Sequence, residues 1–133
     1  MFVVYDSPMQ IFSGNPSEAY LEPAFMELLG SIPTLWDETI ILDGKVGDYI
    51  ITARRKGTDW YIAGMGDWQA RDVKLNFDFL EEDQYNATIC KDGINADRYA
   101  ADYSLTYSNI IKKNDQLTIH LAPGGGFLMK LER

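Results

Sequence analysis

Arg71-Asp72-Val73-Lys74-Leu75-Asn76-Phe77-Asp78-Phe79 alternates polar and apolar residues without a break. Successive side chains of a strand point to opposite faces. Val73, Leu75, Phe77 and Phe79 therefore share one face, and Asp72, Lys74, Asn76 and Asp78 the other. One dry face and one wet face mark an antiparallel sheet laid over a core. The period continues downstream. Tyr85, Ala87 and Ile89 alternate and end at Asp92-Gly93, and Asn95 to Asp102 is polar and loop-like. Tyr103 to Ile111 is a further strand, and Leu117, Ile119 and Leu121 alternate with Thr118 and His120 after the turn Asn114-Asp115. Phe127 to Leu131 is the last strand. Upstream, Thr39 to Leu42 reads as a short strand with Asp43-Gly44 as its turn, and Val46 to Arg55 as a longer one. Gly57-Thr58-Asp59 joins the latter to Trp60–Met65 in a hairpin. About seven or eight short strands at close spacing predict a mainly β fold, an antiparallel β-sandwich of Greek-key type.

The N-terminal part follows another rule. Ser13-Gly14-Asn15-Pro16 breaks the chain. Ser17 to Glu22 reads as a short helical turn capped by Ser17. Pro23 opens a second helix with Phe25, Leu28 and Leu29 on one stripe, Gly30 ends it and Pro33 forbids its continuation. Before the break, Met1 to Ser13 is strongly apolar. Phe2 to Tyr5 suits a strand, whereas Tyr5, Met9 and Phe12 suit a helical face bent at Pro8, and periodicity does not separate the two.

The chain has 133 residues, 46% of them hydrophobic, the size and composition of one globular domain. Its net charge of −8 opposes nucleic acid and anionic membrane surfaces, both of which call for clustered Lys and Arg. Arg54-Arg55-Lys56 is the nearest approach to a basic patch and runs straight into a turn. No apolar run approaches the roughly 18 residues of a membrane span, and no signal peptide opens at Met1. Cys90 is the one cysteine, so an internal disulfide has no partner.

Residues that could carry chemistry are few. His120 is the one histidine and lies mid-strand on a polar face, which suits a structural surface histidine better than a triad or a zinc ligand. A glycosidase needs two carboxylates about 5–10 Å apart. Asp37, Glu38, Asp67, Asp92, Asp97 and Asp102 are the candidates, but most lie in turns, where Asp bonds nearby amides. Asp92-Gly93-Ile94-Asn95-Ala96-Asp97 faintly suggests a calcium loop, without the glycine placement or closing Glu of an EF-hand, and reads better as an Asx-rich turn. Gly124-Gly125-Gly126 lacks the Lys and Ser/Thr of a phosphate loop and precedes a strand, so it reads as a bend or bulge. Asn86-Ala87-Thr88 matches a glycosylation sequon, to which a strand position gives no weight. Aromatic side chains are the remaining lead, because sugars present apolar faces to flat rings. Trp60 and Tyr61 are adjacent and point to opposite faces, so at least one is expected in the core. Trp68, after Gly66-Asp67, is the best candidate for an exposed sugar contact; Trp36 is the second, and Tyr49 completes the aromatic set.

Several runs occur together and in order: Ile32-Pro33-Thr34-Leu35-Trp36-Asp37-Glu38-Thr39, Leu42-Asp43-Gly44-Lys45-Val46-Gly47, and Ala53-Arg54-Arg55-Lys56-Gly57 with Trp60-Tyr61-Ile62. Asp92-Gly93-Ile94-Asn95-Ala96-Asp97-Arg98 and Leu121-Ala122-Pro123-Gly124-Gly125-Gly126-Phe127 follow. Over nearly the whole chain these residues resemble glycoside hydrolase family 97, and within it the C-terminal module alone. The resemblance implies exo-acting α-glucosidases or α-galactosidases, typically with a bound calcium ion, built from an N-terminal β-super-sandwich, a central β/α barrel and a C-terminal β-sandwich. It implies that residues 1–15 are the tail of the barrel's final helix and residues 16–133 the C-terminal β-sandwich domain. The catalytic carboxylates and calcium ligands of the family lie upstream of this module, so no catalytic residue, metal ligand or cofactor is expected in this chain. The expected role is a non-catalytic accessory domain packed on the catalytic barrel, in a bacterial and periplasmic parent enzyme, with residues 1–13 prone to self-association when that barrel is not beside them. The other reading is a carbohydrate-binding module that takes an oligosaccharide.

Overall fold

The computed structural model describes residues 1–99 and 101–133. Two short helices, α1 (Pro16–Ala19) and α2 (Pro23–Gly30), precede eight strands. These are β1 (Glu38–Lys45), β2 (Tyr49–Lys56), β3 (Asp59–Gly66), β4 (Arg71–Asn76), β5 (Gln84–Asp92), β6 (Tyr103–Lys112), β7 (Gln116–Leu121) and β8 (Gly126–Glu132). One layer is a six-stranded sheet in the order β1-β2-β3-β8-β5-β6, and the facing layer is the ribbon β4-β7. Every pairing is antiparallel. The Greek key is the path β5 to β8: β5 and β6 form a hairpin, β7 crosses to the ribbon, and β8 returns to lie between β3 and β5.

The alternation of β4 and β7 sets the inner core. Val73 and Leu75 of β4 pair with Ile119 and Leu117 of β7, and their dry face meets Ile51, Ala53, Trp60, Ile62, Met129 and Leu131 of the large sheet. Phe77 and Leu80, beyond the end of β4, remain fully buried in this core, although the ladder stops at Asn76. Trp60 meets Phe79 edge-on, ring centroids 4.9 Å apart. The two-residue connection Gly57-Thr58 carries positive φ at Gly57 alone, the first central position, as a tight hairpin turn of the right hand requires.

The other face of the large sheet is also covered. Val3 is 1% exposed and packs on Tyr61 and Ala63, with Val4, Ile32, Trp36 and Leu128 around them. The Arg54 side chain, 4% exposed, lies on this side, donating to the Val4 carbonyl and the Asp6 carboxylate, each at 3.3 Å. The N-terminal segment thus forms a third layer over β2, β3 and β8.

Three sequence expectations need correction. Residues 1–13 are not helical: a turn closed by the Tyr5 amide on the Met1 carbonyl at 2.9 Å gives way to irregular chain. Pro8 limits any helix there, and Val3 and Val4 dock on the sheet while Tyr5, Met9, Ile11 and Phe12 remain exposed. The cap of α1 is Asn15, whose side chain accepts the Ser17 amide at 3.1 Å, so the helix begins at Pro16, not at Ser17. Asp43-Gly44 is not a turn. A bulge between Ile41 and Asp43 lets β1 run on to Lys45, and the reversal falls at Val46–Asp48, where Gly47 has φ of 85°. The expectation that at least one of Trp60 and Tyr61 lies in the core is met by both, because both faces of β3 are covered.

Asp37, just ahead of β1, closes the β2–β3 turn. It accepts the Gly57 amide at 2.7 Å and the Lys56 ammonium at 3.0 Å. The amide first, then the ammonium, holds its carboxyl below the ordinary carboxylate range. A carboxylate whose pKa is depressed by folding adds stability above its unfolded pKa and loses it as pH falls through the folded one. In an NMR titration the Asp37 carboxyl carbon should therefore show a midpoint below that of an unperturbed aspartate; a midpoint at or above the unperturbed one contradicts the clamp. Deleting residues 1–6 should lower stability by about 1.5–3 kcal/mol, the contribution of burying the Val3 side chain. Urea unfolding of the two chains checks this, and an unchanged midpoint would show that the segment does not dock.

Candidate functional site

Of the carboxylates that could have served a hydrolase, Asp37, Asp67, Asp92 and Asp102 accept backbone amides, and Glu38 and Asp97 face arginine side chains. Asp92 accepts the Ala122 amide at 2.8 Å and the Gly126 amide at 3.2 Å, and so ties the end of β5 to the entry of β8. The three glycines of that entry are explained by the same geometry. Gly124 adopts φ of 69° under the Trp68 ring, and a Cβ on Gly125 would lie within 1.9 Å of the Asp92 carboxylate. A Cβ on Gly126 would meet the Gly64 carbonyl at 2.5 Å. Asp102 accepts the Asn95 amide at 2.8 Å, closing the turn that suggested a calcium loop. Asp92 points away from that turn, towards β8. Among the described residues no group of three His, Cys, Asp or Glu side chains gathers at one place. Glu38 pairs with Arg55 at 3.1 Å, Asp67 accepts the Gln69 amide at 3.1 Å and pairs with Arg71, and Asp97 approaches Arg98 at 3.8 Å.

His120 is exposed and its Nδ1 lies 2.7 Å from the carboxylate of Asp72, its direct cross-strand neighbour. Cys90 is buried beside β8, and burial pushes its thiol up, away from the reactive thiolate. The run Arg54-Arg55-Lys56 forms no basic patch. Arg54 goes under the N-terminal segment, Arg55 turns to Glu38 and Lys56 to Asp37.

The aromatic candidates divide. Trp36 is half-buried, edge-on to Tyr61 at 5.2 Å and 5.8 Å from the Arg54 guanidinium, so it belongs to the covered face. Tyr49 lies under Arg71 at 4.9 Å and donates its hydroxyl to Asp43. Trp68 is 86% exposed, with one side of its ring against Gly124. Near it an open groove of about 530 Å³ runs along the β1–β2 hairpin, lined by Ile41, Gly44, Val46, Ile50, Met65 and Asp67 among others.

The apolar run Met1 to Ser13 is expected to offer a sticky surface, and the structure shows one on the outer side of the N-terminal layer, although Val4 turns inward. Val3 and Val4 face the sheet, while Tyr5, Met9, Ile11, Phe12, Tyr20 and Leu21 stand out from it, Met9 and Ile11 by 76% and 80%. Isolated exposed apolar residues are normal, but with Met1 there are seven within the first 21 residues, a density with the character of an interface. Their density in the sequence was the available signal. α2 completes the layer on the β6 side. Phe25 packs at 5.4 Å from the ring of Tyr103, whose hydroxyl donates to Glu22 and is held back from ionising, its pKa pushed up to about 12 chiefly by that bond.

Residues 35–132 match the family model described as "Glycosyl-hydrolase 97 C-terminal, oligomerisation". The chain is 48% identical over 132 residues to a retaining alpha-galactosidase of Bacteroides thetaiotaomicron, covering 99% of this chain and 20% of the relative. A family 97 enzyme from Pseudoalteromonas sp. strain K8, solved in complex with acarbose, superposes with a TM-score of 0.83 at 34% identity, over 89% of this chain and 19% of that one. A beta-arabinopyranosidase superposes with a TM-score of 0.71 at 28% identity, over 92% of this chain and 19% of that one. The chain spans about a fifth of the length of these relatives. With the family model covering both layers of the sandwich and the Asp92–glycine clamp that joins them, the chain belongs to the C-terminal domain family of the glycoside hydrolase 97 enzymes.

Proposed function

We propose that this chain is the non-catalytic C-terminal domain of a bacterial family 97 enzyme that hydrolyses α-galactosidic bonds, and that its outer layer packs on the catalytic barrel. The observation that carries the reading is the two-sided N-terminal layer. Its inner residues seal the sheet, and its outer residues Tyr5, Met9, Ile11 and Phe12 offer an apolar surface. A domain that ended its contacts at its own core would gain nothing from a row of exposed large apolar side chains. Interfaces between domains of one chain are commonly of moderate size and mixed polarity, which fits apolar residues interspersed with Asp6, Ser7 and Gln10. The substrate class rests on the retaining alpha-galactosidase at 48% identity. The family's calcium and its catalytic carboxylates belong to the other domains in this reading, and the parent enzyme works in the periplasm.

Two outcomes are expected. The chain by itself turns over no aryl α-galactoside; added to a family 97 enzyme lacking its C-terminal domain, it raises the thermal midpoint of that enzyme, and Met9→Lys with Phe12→Lys removes the effect. A full effect in the lysine variant would place the contact elsewhere.

Trp68 supports a second reading, sugar binding, because its exposed ring stands beside Asp67, Gln69 and Arg71. A dissociation constant of about 1 mM needs only about −4 kcal/mol, within reach of a stacked ring with a few polar partners. The scaffold reading expects no saturable change of tryptophan emission with galacto- or maltooligosaccharides at millimolar concentration. A saturable change lost in Trp68→Ala would make the chain a carbohydrate-binding module.

A further inference from the structure

Apart from Tyr103, whose ring and hydroxyl meet Phe25 and Glu22, β6 is joined to the rest of the sheet only through β5. β6 ends the six-stranded sheet, so one row of its N–H and C=O groups has no strand beside it. Edges are commonly guarded by charge, and β1, at the opposite end, follows that rule with Glu38, Asp43, Lys45 and a bulge. β6 does not. From Tyr103 to Ile111 it carries no charged residue, in a chain of net charge −8. Thr106, Tyr107, Ser108, Asn109 and Ile110 are all exposed, Tyr107 by 56% and Ile110 by 58%. Charge depletion and exposed tyrosine are the compositional marks of an interface core.

The electrostatics select the occupant. Two copies of a strongly acidic chain repel wherever acidic surfaces meet, so an uncharged stretch is where a second copy approaches at least cost. The family description names oligomerisation without saying which surface performs it. We propose that the β6 edge is the surface through which two copies of this chain associate, strand against antiparallel strand about a two-fold axis, with Tyr107 and Ile110 near its centre. The two-fold sets the Lys112-Lys113 end of one copy towards the Asp102 end of the other. Asp83 and Asp115 share the lysine end, which leaves that end close to neutral. Ser108, at φ of 58°, lies in a bulge opposite Thr88 that interrupts the edge ladder. The contact is therefore made by side chains and closes as a pair, and does not template an open-ended sheet.

The proposal rests on the reading that the N-terminal surface faces the barrel and not another copy, and the experiment separates the two. Sedimentation equilibrium of the 133-residue chain should show a monomer–dimer equilibrium. Tyr107→Lys with Ile110→Lys should weaken it by roughly tenfold or more, about 1.4 kcal/mol, at an unchanged thermal midpoint. Met9→Lys with Phe12→Lys should leave it intact. A wild-type chain that stays monomeric, or a dimer that survives the β6 lysines, overturns the proposal. A dimer dissolved by the Met9 and Phe12 lysines alone overturns this proposal and leaves the barrel-packing reading standing, because that surface is expected to associate when its barrel is not beside it. Tyr107→Ser with Ile110→Ser gives the same comparison should the lysine variant lose its cooperative melting.

Discussion

A six-stranded sheet has two faces, and a two-stranded ribbon covers only one of them; the rest of the architecture answers that mismatch. β2 and β3 are buried through their centres on both sides, Ile51 to Arg54 and Trp60 to Ala63 without interruption. Backbone and side chains buried on both faces need a layer on each, and the second layer here is the N-terminal segment with α2. Arg54 shows how tightly that layer is specified. A buried guanidinium costs free energy unless its donors find acceptors, and here the acceptors are the Val4 carbonyl and the Asp6 carboxylate, about fifty positions away in sequence. Moving the segment would give up both Arg54 contacts and open Arg54 and Tyr61 to water. Charge and packing therefore enforce the same docked position.

The same constraint explains which parts of the fold were legible in the sequence. Strands with one wet face declare themselves by strict alternation, and β4 and β7 were read residue by residue for that reason. β2 and β3 could be recognised as a hairpin from the Gly57-Thr58 turn, but not assigned faces, because a doubly covered strand has no wet side to set its phase. Asp43-Gly44 carried the strongest short-range turn signature and lies inside a strand. The bulge beside it shifts the register, so the reversal moves to Gly47. A dipeptide propensity of a few tenths of a kcal/mol gives way to a ladder that buries Ile40 and Leu42 against the core. Residues 1–13 failed differently. Their apolar spacing was compatible with a helix or a strand, and what decides between them is a partner surface assembled from residues 52–63 and 128, which no local pattern encodes.

The candidate site was legible mainly by elimination. One histidine, one cysteine and turn-bound acids are poor material for catalysis, and the structure gives most of those acids definite mechanical roles. Asp37 fastens the β2–β3 turn, Asp92 fastens β5 to β8, and Asp102 closes its own loop. Such acids look like catalytic candidates because both jobs use the same property, a carboxylate's capacity to accept several hydrogen bonds at once. What separates the jobs is the donor. Backbone amides surround Asp92 and Asp37, whereas a general acid or base must face a space where substrate can sit. Trp68 was correctly expected to be exposed, while Trp36 was not separable from it in sequence, because its burial depends on Tyr61 and Arg54 arriving from β2 and β3.

The position of β8 ties the ends of the chain together. It is the last strand to be made and lies between β3 and β5, so the six-stranded sheet is two separate pieces until it arrives. Pairings of such long sequence separation form late, because loop closure must precede the contacts that reward it. The Asp92 clamp then fixes the β8 entry on two amides, and only glycine fits the backbone beneath that carboxylate. Leu128, on the outer side of β8, joins Tyr61 and Ala63 in the surface that receives Val3. Docking of the first residues consequently depends on insertion of the last strand. A chain that enters this domain through residues 1–6 is gripped only after the domain is complete, which couples the N-terminal layer, and any surface packed on it, to the folding of the whole sandwich.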